Sequence, residues 1–205
     1  MAFQGSPAGR DGEDRRETAE TRIRVRVQID GTGRSRITSG IGMFDHLLDQ
    51  LARHSLMDLE VEAAGDLEVD AHHTIEDIGI CLGRALNRAL GDRGGIVRMA
   101  DRTVPMDETL VQVALDLSGR PFAAIDLRFH GERIGSLPTE LIEHFLNSFA
   151  FEARIALHVR ELAGKNDHHR AEAAFKALAR ALGDAAAIDS RREGTIASTK
   201  GTLTG

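Results

Sequence analysis

The chain has 205 residues, 41% of them apolar and 28% charged, with a formal net charge of -6. That length builds one globular domain or two small ones with a real core, and the composition excludes wholesale disorder, a peptide hormone and a knottin. The acidic balance argues against nucleic acid as a partner, and no apolar run approaches the length that spans a bilayer.

Cys81 is the one cysteine, so no internal disulfide forms, and the start lacks the apolar stretch of a secretory signal. Both features point to a cytoplasmic protein. Trp and Tyr are absent and Phe is scarce, so the core must come from Leu, Ile, Val and Ala.

Residues 1–16 are Gly, Pro, Ser and charge without periodicity, which predicts a disordered N-terminal arm. From Thr21, Ile23, Val25, Val27 and Ile29 alternate with polar residues, the period of a strand with one buried face. Asp30-Gly31 supplies a turn, and Arg34 to Thr38 reads as a second strand ending at Gly40. Met43 to Arg53 has helical spacing, Asp58 to Val69 alternates again, and Ile75, Ile78, Leu82, Leu86 and Leu90 form a helical stripe that Gly91 stops.

The same order then returns. Glu20-Thr21 matches Glu108-Thr109, Val25 matches Val113, Ile29 matches Leu117 and Gly31 matches Gly119. After an insertion at Phe129 to Pro138, His46 matches His144, Leu48 matches Leu146 and Ala52 matches Ala150. His72-His73-x-x-Glu76 matches His168-His169-x-x-Glu172. The expected fold is α+β: two tandem similar repeats of strand, strand, helix, strand, helix, each a mostly antiparallel sheet covered by two helices in two layers. The expected boundaries are 17–92 for the first repeat, 93–184 for the second and 185–205 for a flexible C-terminal tail.

The paired histidine motif carries the chemistry. Residues four apart share a helix face, so His72 with Glu76, and His168 with Glu172, can each chelate one ion. Adjacent helical positions diverge by about 100°, so His73 and His169 serve a different ion from their neighbours. With His46 and His144 the set divides into two sites of three imidazoles and one carboxylate. Asp70 and Asn166 stand where helix N-caps belong, which accounts for those two residues and not for the histidines. His130 and His158 have no duplicate and read as surface or packing residues; His54 shares a helix with His46. Imidazole and carboxylate without thiolate suit Mn²⁺, Fe²⁺, Zn²⁺ or Ni²⁺, and four protein ligands leave open positions on an octahedral ion, as catalysis requires.

With these residues in hand, the chain resembles imidazoleglycerol-phosphate dehydratases. The likeness runs from about Glu20 to Lys200 through Gly40-Ile-Gly-Met-Phe-Asp-His46, Asp70-Ala-His-His-Thr-Ile-Glu76-Asp77, Glu143-His144-Phe145, Asp167-His-His-Arg-Ala-Glu172 and Ser198-Thr-Lys200. It departs at Leu47-Leu48 and Ser55-Leu56-Met57, where Met or Gly is common in the family; no proposed ligand is touched.

The resemblance implies two Mn²⁺ ions per active site and a homo-oligomer of twenty-four chains with active sites between subunits. The substrate implied is imidazoleglycerol phosphate, a phosphorylated imidazole, dehydrated to imidazoleacetol phosphate in histidine biosynthesis. Held between two metals, its ring becomes an imidazolate that expels the neighbouring hydroxyl through a diazafulvene-like intermediate, and a carboxylate moves the protons. The resemblance makes Glu20 the candidate for that role, with Glu76 and Glu172 as further catalytic carboxylates. It assigns Glu20, His54, Arg98, Arg120, Lys176, Ser198, Thr199 and Lys200 to substrate binding, the cations suiting phosphate. The ligand set taken alone equally permits a dinuclear hydrolase of a small phosphorylated substrate, or metal storage.

Overall fold

Ile23, Val25 and Val27 are buried and alternate with Arg22, Arg24 and Arg26, so the strand that carries them has one face for a core. The computed structural model describes residues 9–203 and sets this strand in the first of two matching halves. The first half contains β1 (Asp11–Glu17), β2 (Thr21–Gln28), β3 (Ser35–Thr38), α1 (Gly42–Ser55), β4 (Asp58–Gly65) and α2 (His72–Leu90). The second contains β5 (Met99–Met106), β6 (Thr109–Asp116), β7 (Phe122–Asp126), the short pair β8 (Arg133–Ile134) and β9 (Leu137–Pro138), α3 (Glu140–Ala153), β10 (Ala156–Ala163) and α4 (Asp167–Ala186).

The sheets have the orders β1-β2-β4-β3 and β5-β6-β10-β7. All their pairings are antiparallel except β3 with β4 and β7 with β10. Val25 stands opposite Val61 in one sheet and Val113 opposite Val159 in the other, all four fully buried. The α+β class and the two similar repeats are therefore as expected.

The helices pack across the duplication, α1 on α4 and α2 on α3, which places them between the two sheets. Phe44, Phe145, Phe149 and Phe175 fill this helical layer, the scarce aromatics concentrated where the halves meet. Glycines set how closely α2 and α3 approach: a Cβ at Gly83 would lie 2.7 Å from the backbone of Phe149 and Ala153, and one at Gly79 would lie 3.1 Å from the Phe145 carbonyl. That approach delivers His144, beside Phe145, to the first turns of α2.

Four expectations need correction. Residues 1–8 of the proposed arm lie outside the described residues, but 11–17 form edge strand β1. Its inward positions are Gly12 and Asp14, which carry no hydrophobic period: a Cβ at Gly12 would sit 2.1 Å from the Ala85 carbonyl, and Asp14 is buried in an ion pair with Arg88. The second half likewise opens with an extra edge strand, β5, so each half begins with three strands.

The alternation expected through Val69 stops at Gly65, because Gly65 is wedged against Thr21 and Thr74 and the chain turns there, leaving Val69 exposed. Finally, the tail is held down. Ile188 and Ile196 bridge to Ile96 and Gly94, Leu203 is buried, and the buried Arg93 donates to the carbonyls of Ala153 and Leu203.

Candidate metal centre

Asp70 accepts the backbone N–H of His72, and Asn166 accepts those of His168 and His169, so each His-His pair begins a helix whose first turn is fixed. In the first half-site, the rings of His72 (α2) and His144 (α3) lie 4.5 Å apart, with His144 Nε2 3.4 Å from Glu76 Oε1. His72, Glu76 and His144 each offer one ligand atom, all within 4.8 Å of one another. His144 Nε2 is buried without a hydrogen-bond partner, the condition a polar atom tolerates when an ion is its partner.

The second half-site repeats this on α1 and α4. His46 Nε2 and His168 Nε2 lie 3.2 and 3.1 Å from Glu172 Oε2, and these three residues also place ligand atoms within 4.8 Å. Burial pushes the Glu172 carboxyl up, but hydrogen bonds from Lys176 and His46 outweigh it and bring it down to about 2. Lys176 Nζ occupies Oε1 at 2.6 Å. Two imidazoles and one carboxylate form a borderline donor set that fits divalent transition metals, so both half-sites fit an ion.

His73 and His169 stand outside these two clusters, as expected for neighbours about 100° away on a helix. His73 Nδ1 lies 3.1 Å from Asp66 Oδ2 and 3.8 Å from Glu20 Oε2; the Asp66 contact raises the pKa of the ring. His169 Nδ1 lies 2.7 Å from Glu108 Oε2. Glu108 is held well below the ordinary carboxylate range by that contact and by the backbone N–H groups of Asn166 and Lys165. Sequence reading missed Asp66, which sits in a polar turn with no periodicity to mark it.

The remaining candidates are spread around these clusters. His54 lies on the last turn of α1 beside Gln50, and burial lowers its pKa, with Lys176 and Arg180 adding to the effect. Arg98 grips Asp116 with two nitrogens and donates a third to the Ala197 carbonyl, next to Ser198. Ser198, Thr199 and Lys200 form a turn closed by Gly201 N–H on the Ser198 carbonyl. Arg120 is exposed, its backbone N–H bound to Ser118 Oγ. The insertion carrying β8 and β9 borders a cleft of about 540 Å³ lined by Asp70, His72, His130 and Arg133. Asp167 accepts the His130 and Gly131 N–H groups and an Arg170 nitrogen, tying this insertion to the first turn of α4.

A duplicated α+β scaffold in which two His-His-Glu donor clusters each join a helix of one half to a helix of the other defines a protein fitted for divalent metal. A family model described as imidazoleglycerol-phosphate dehydratase matches residues 39–182, and the chain belongs to that family. It is 57% identical over 196 residues to the imidazoleglycerol-phosphate dehydratase of Azorhizobium caulinodans, covering 96% of this chain and 100% of that one. It is 58% identical to that of Moorella thermoacetica, covering 92% and 95%. The crystal structure of the Staphylococcus aureus dehydratase superposes with a TM-score of 0.80 at 35% identity, over 87% of this chain and 99% of that one. The activity is that of a hydro-lyase of histidine biosynthesis, acting on a phosphorylated imidazole in a metal-dependent family. No helix among the described residues is long and apolar enough to cross a membrane.

Proposed function

We propose that the chain dehydrates D-erythro-imidazoleglycerol phosphate to imidazoleacetol phosphate at active sites holding two divalent ions each, Mn²⁺ first among the transition metals. The observation that carries this is the matched pair of three-donor clusters, His72/Glu76/His144 and His46/His168/Glu172. Within one chain each cluster has two imidazoles, while His73 and His169 stand apart, so neighbouring copies supply the third imidazole of each site. A closed homo-oligomer then places active sites between subunits, twenty-four chains being the assembly the family resemblance implies. The location proposed with this reading is the cytoplasm, in keeping with a charged, phosphorylated substrate that membranes retain.

When bound, the metals supply Lewis acidity that favours the deprotonated form of the substrate ring. The chain does the rest. Glu20, exposed and 3.8 Å from His73, takes the proton from the carbon next to the one that loses hydroxyl. The hydroxyl departs as water with a proton equivalent to the one Glu20 takes, so the step is proton-neutral overall, and the enol left behind tautomerises to the ketone. Glu76 and Glu172 turn their carboxylates toward the imidazoles of the two clusters. Lys176, Arg98 and Arg120 offer cations to the phosphate, and Ser198, Thr199 and Lys200 add a hydroxyl, backbone N–H groups and a further cation. His54 lines the same approach.

Metal content measured together with product identity tests this assignment. About two ions per chain and a phosphorylated ketone without inorganic phosphate are expected, and His72→Ala should lose both metal and turnover. Release of inorganic phosphate would favour the dinuclear hydrolase, and an active metal-free His72→Ala would overturn the site.

A further inference from the structure

The two halves hold their second histidines differently, and the cause is loop length. Gly65 and Gly164 are equivalent: Gly65 stands opposite Thr21, which opens β2, and its Cβ would collide with Thr74 at 2.1 Å, while a Cβ at Gly164 would collide at 2.9 Å with Thr109, which opens β6. Seven positions lead from Gly65 to His72 but only four from Gly164 to His168. The short loop brings Lys165 and Asn166 onto Glu108: their N–H groups donate to Glu108 Oε1 at 3.1 and 2.8 Å, and Thr109 Oγ1 joins at 3.0 Å. The other oxygen, Oε2, faces His169 Nδ1 at 2.7 Å.

In the first half the longer loop inserts Asp66 into the corresponding place. Asp66 meets His73 Nδ1 with both oxygens, at 3.1 and 3.3 Å, and no other donor binds its side chain among the described residues. The duplicate of Glu108 is Glu20, which stands back at 3.8 Å and is left exposed.

We propose that Glu108 and Asp66 are positioning residues that fix the second histidine of each pair as the Nδ1–H tautomer, so that Nε2 presents its lone pair to a metal. A carboxylate only accepts hydrogen bonds, so each Nδ1 must donate, and a neutral ring that donates from Nδ1 bears its free pair on Nε2. The same substitution by Asp66 releases Glu20 from this duty, which is why one member of the duplicated Glu pair is free for proton transfer and the other is locked. The proposal rests on reading His73 and His169 as ligands.

The two carboxylates respond differently to amide replacement. In Glu108→Gln the amide oxygen stays with its three donors, so the amide NH₂ faces His169 Nδ1. That nitrogen must then accept, and the proton moves to Nε2. In Asp66→Asn nothing fixes the amide, so its oxygen turns to His73 and the tautomer survives. Titrating the full chain with Mn²⁺ and following free ion by electron paramagnetic resonance should show Glu108→Gln weakened by about 10- to 100-fold at the sites served by His169, with Asp66→Asn matching the unaltered protein. Wild-type affinity in Glu108→Gln, or equal losses in both variants, would overturn the proposal.

Long-range ¹H–¹⁵N spectra of the metal-free protein, at a pH where the ring is neutral, give a second reading. Nδ1–H at His169 is expected in the unaltered chain and Nε2–H in Glu108→Gln. Should Glu108→Gln fail to fold, the unaltered chain decides alone, since Nε2–H there overturns the assignment. Neither measurement uses substrate, so this inference and the dehydration reading fail separately.

Discussion

Lys176 Nζ lies 2.6 Å from Glu172 Oε1, one turn along α4, while His46 and His168 approach Oε2 of the same carboxylate. One oxygen thus faces the cation and the other faces the imidazoles. The ammonium screens the carboxylate charge that an ion would use, so it stands at some cost to metal binding. Its position suits it to a phosphate arriving beside the cluster. Lys176→Met keeps the length of the side chain and removes the charge. Steady-state kinetics should show KM for the phosphorylated substrate raised about tenfold or more, one lost charged contact being worth about 1.4 kcal/mol or more, with Mn²⁺ affinity undiminished. Loss of metal instead would make Lys176 a support for Glu172.

The approach of α3 to α2 depends on Gly83, where a Cβ would meet Phe149 and Ala153 backbone at 2.7 Å. Backbone cannot yield as a side-chain tip can, so Gly83→Ala pushes the helices apart at about 1–3 kcal/mol. His144 rides on α3 and His72 and Glu76 on α2, so the same displacement opens one half-site. Thermal melting should fall by about 4–8 °C for a loss of about 2 kcal/mol in a chain of this size, and metal content should drop with it. Gly42→Ala is the control: nothing lies within 4 Å of its Cβ and it begins α1, so melting should hold or rise.

These helices were legible because their burial repeats in the sequence: Ile75, Ile78, Leu82 and Leu86 are buried at the spacing that predicts α2. The pairing of His72 with Glu76 and of His168 with Glu172 was legible from helical spacing, and the duplication matched His46 with His144, but not which cluster each of those two joins. Which helix meets which was not legible, because α1 pairs with α4 across the duplication and only tertiary packing decides that. Strand β1 hid because its inward residues are glycine and aspartate. Tail anchoring hid because it depends on Arg93 and Arg98 reaching backbone carbonyls about a hundred residues away, a contact without a sequence period.

Asp58 illustrates a polar anchor that pH can release. It is buried at the start of β4 and accepts the N–H groups of Thr32 and Arg34 at 2.8 and 2.9 Å and the Arg34 guanidinium at 2.7 Å. Burial pushes its carboxyl up, but Arg34 and these N–H groups prevail and leave it below the ordinary value. A carboxyl depressed in the folded state contributes stability that is present above its unfolded pKa, about 3.9, and is lost as pH falls through the lower folded value. Asp58→Asn should therefore cost about 2 kcal/mol at neutral pH, and the gap to the unaltered chain should narrow in acid. Urea melts of both proteins across that range measure it; a gap independent of pH would show that shape, not charge, holds the turn.

His144 Nε2, buried and 3.4 Å from Glu76 Oε1 without the geometry of a hydrogen bond, links metal to stability most directly. An unpaired buried nitrogen costs about 1–3 kcal/mol, and an ion that binds it reverses that cost. Binding to the folded state alone adds about 2.7 kcal/mol when the ion stands at a hundred times its Kd, which for a chain of this length raises melting by about 5–11 °C. Mn²⁺ should produce a shift of that order per half-site, and a chelator should abolish it. His144→Phe keeps an aromatic ring in place and deletes the orphaned nitrogen. In chelator it should melt at or above the temperature of the unaltered chain, and with Mn²⁺ it should lose the part of the shift that belongs to the His72/Glu76 half-site. A full Mn²⁺ shift in His144→Phe would mean that the orphaned nitrogen is not a ligand and that the cluster on α2 and α3 holds its ion without it.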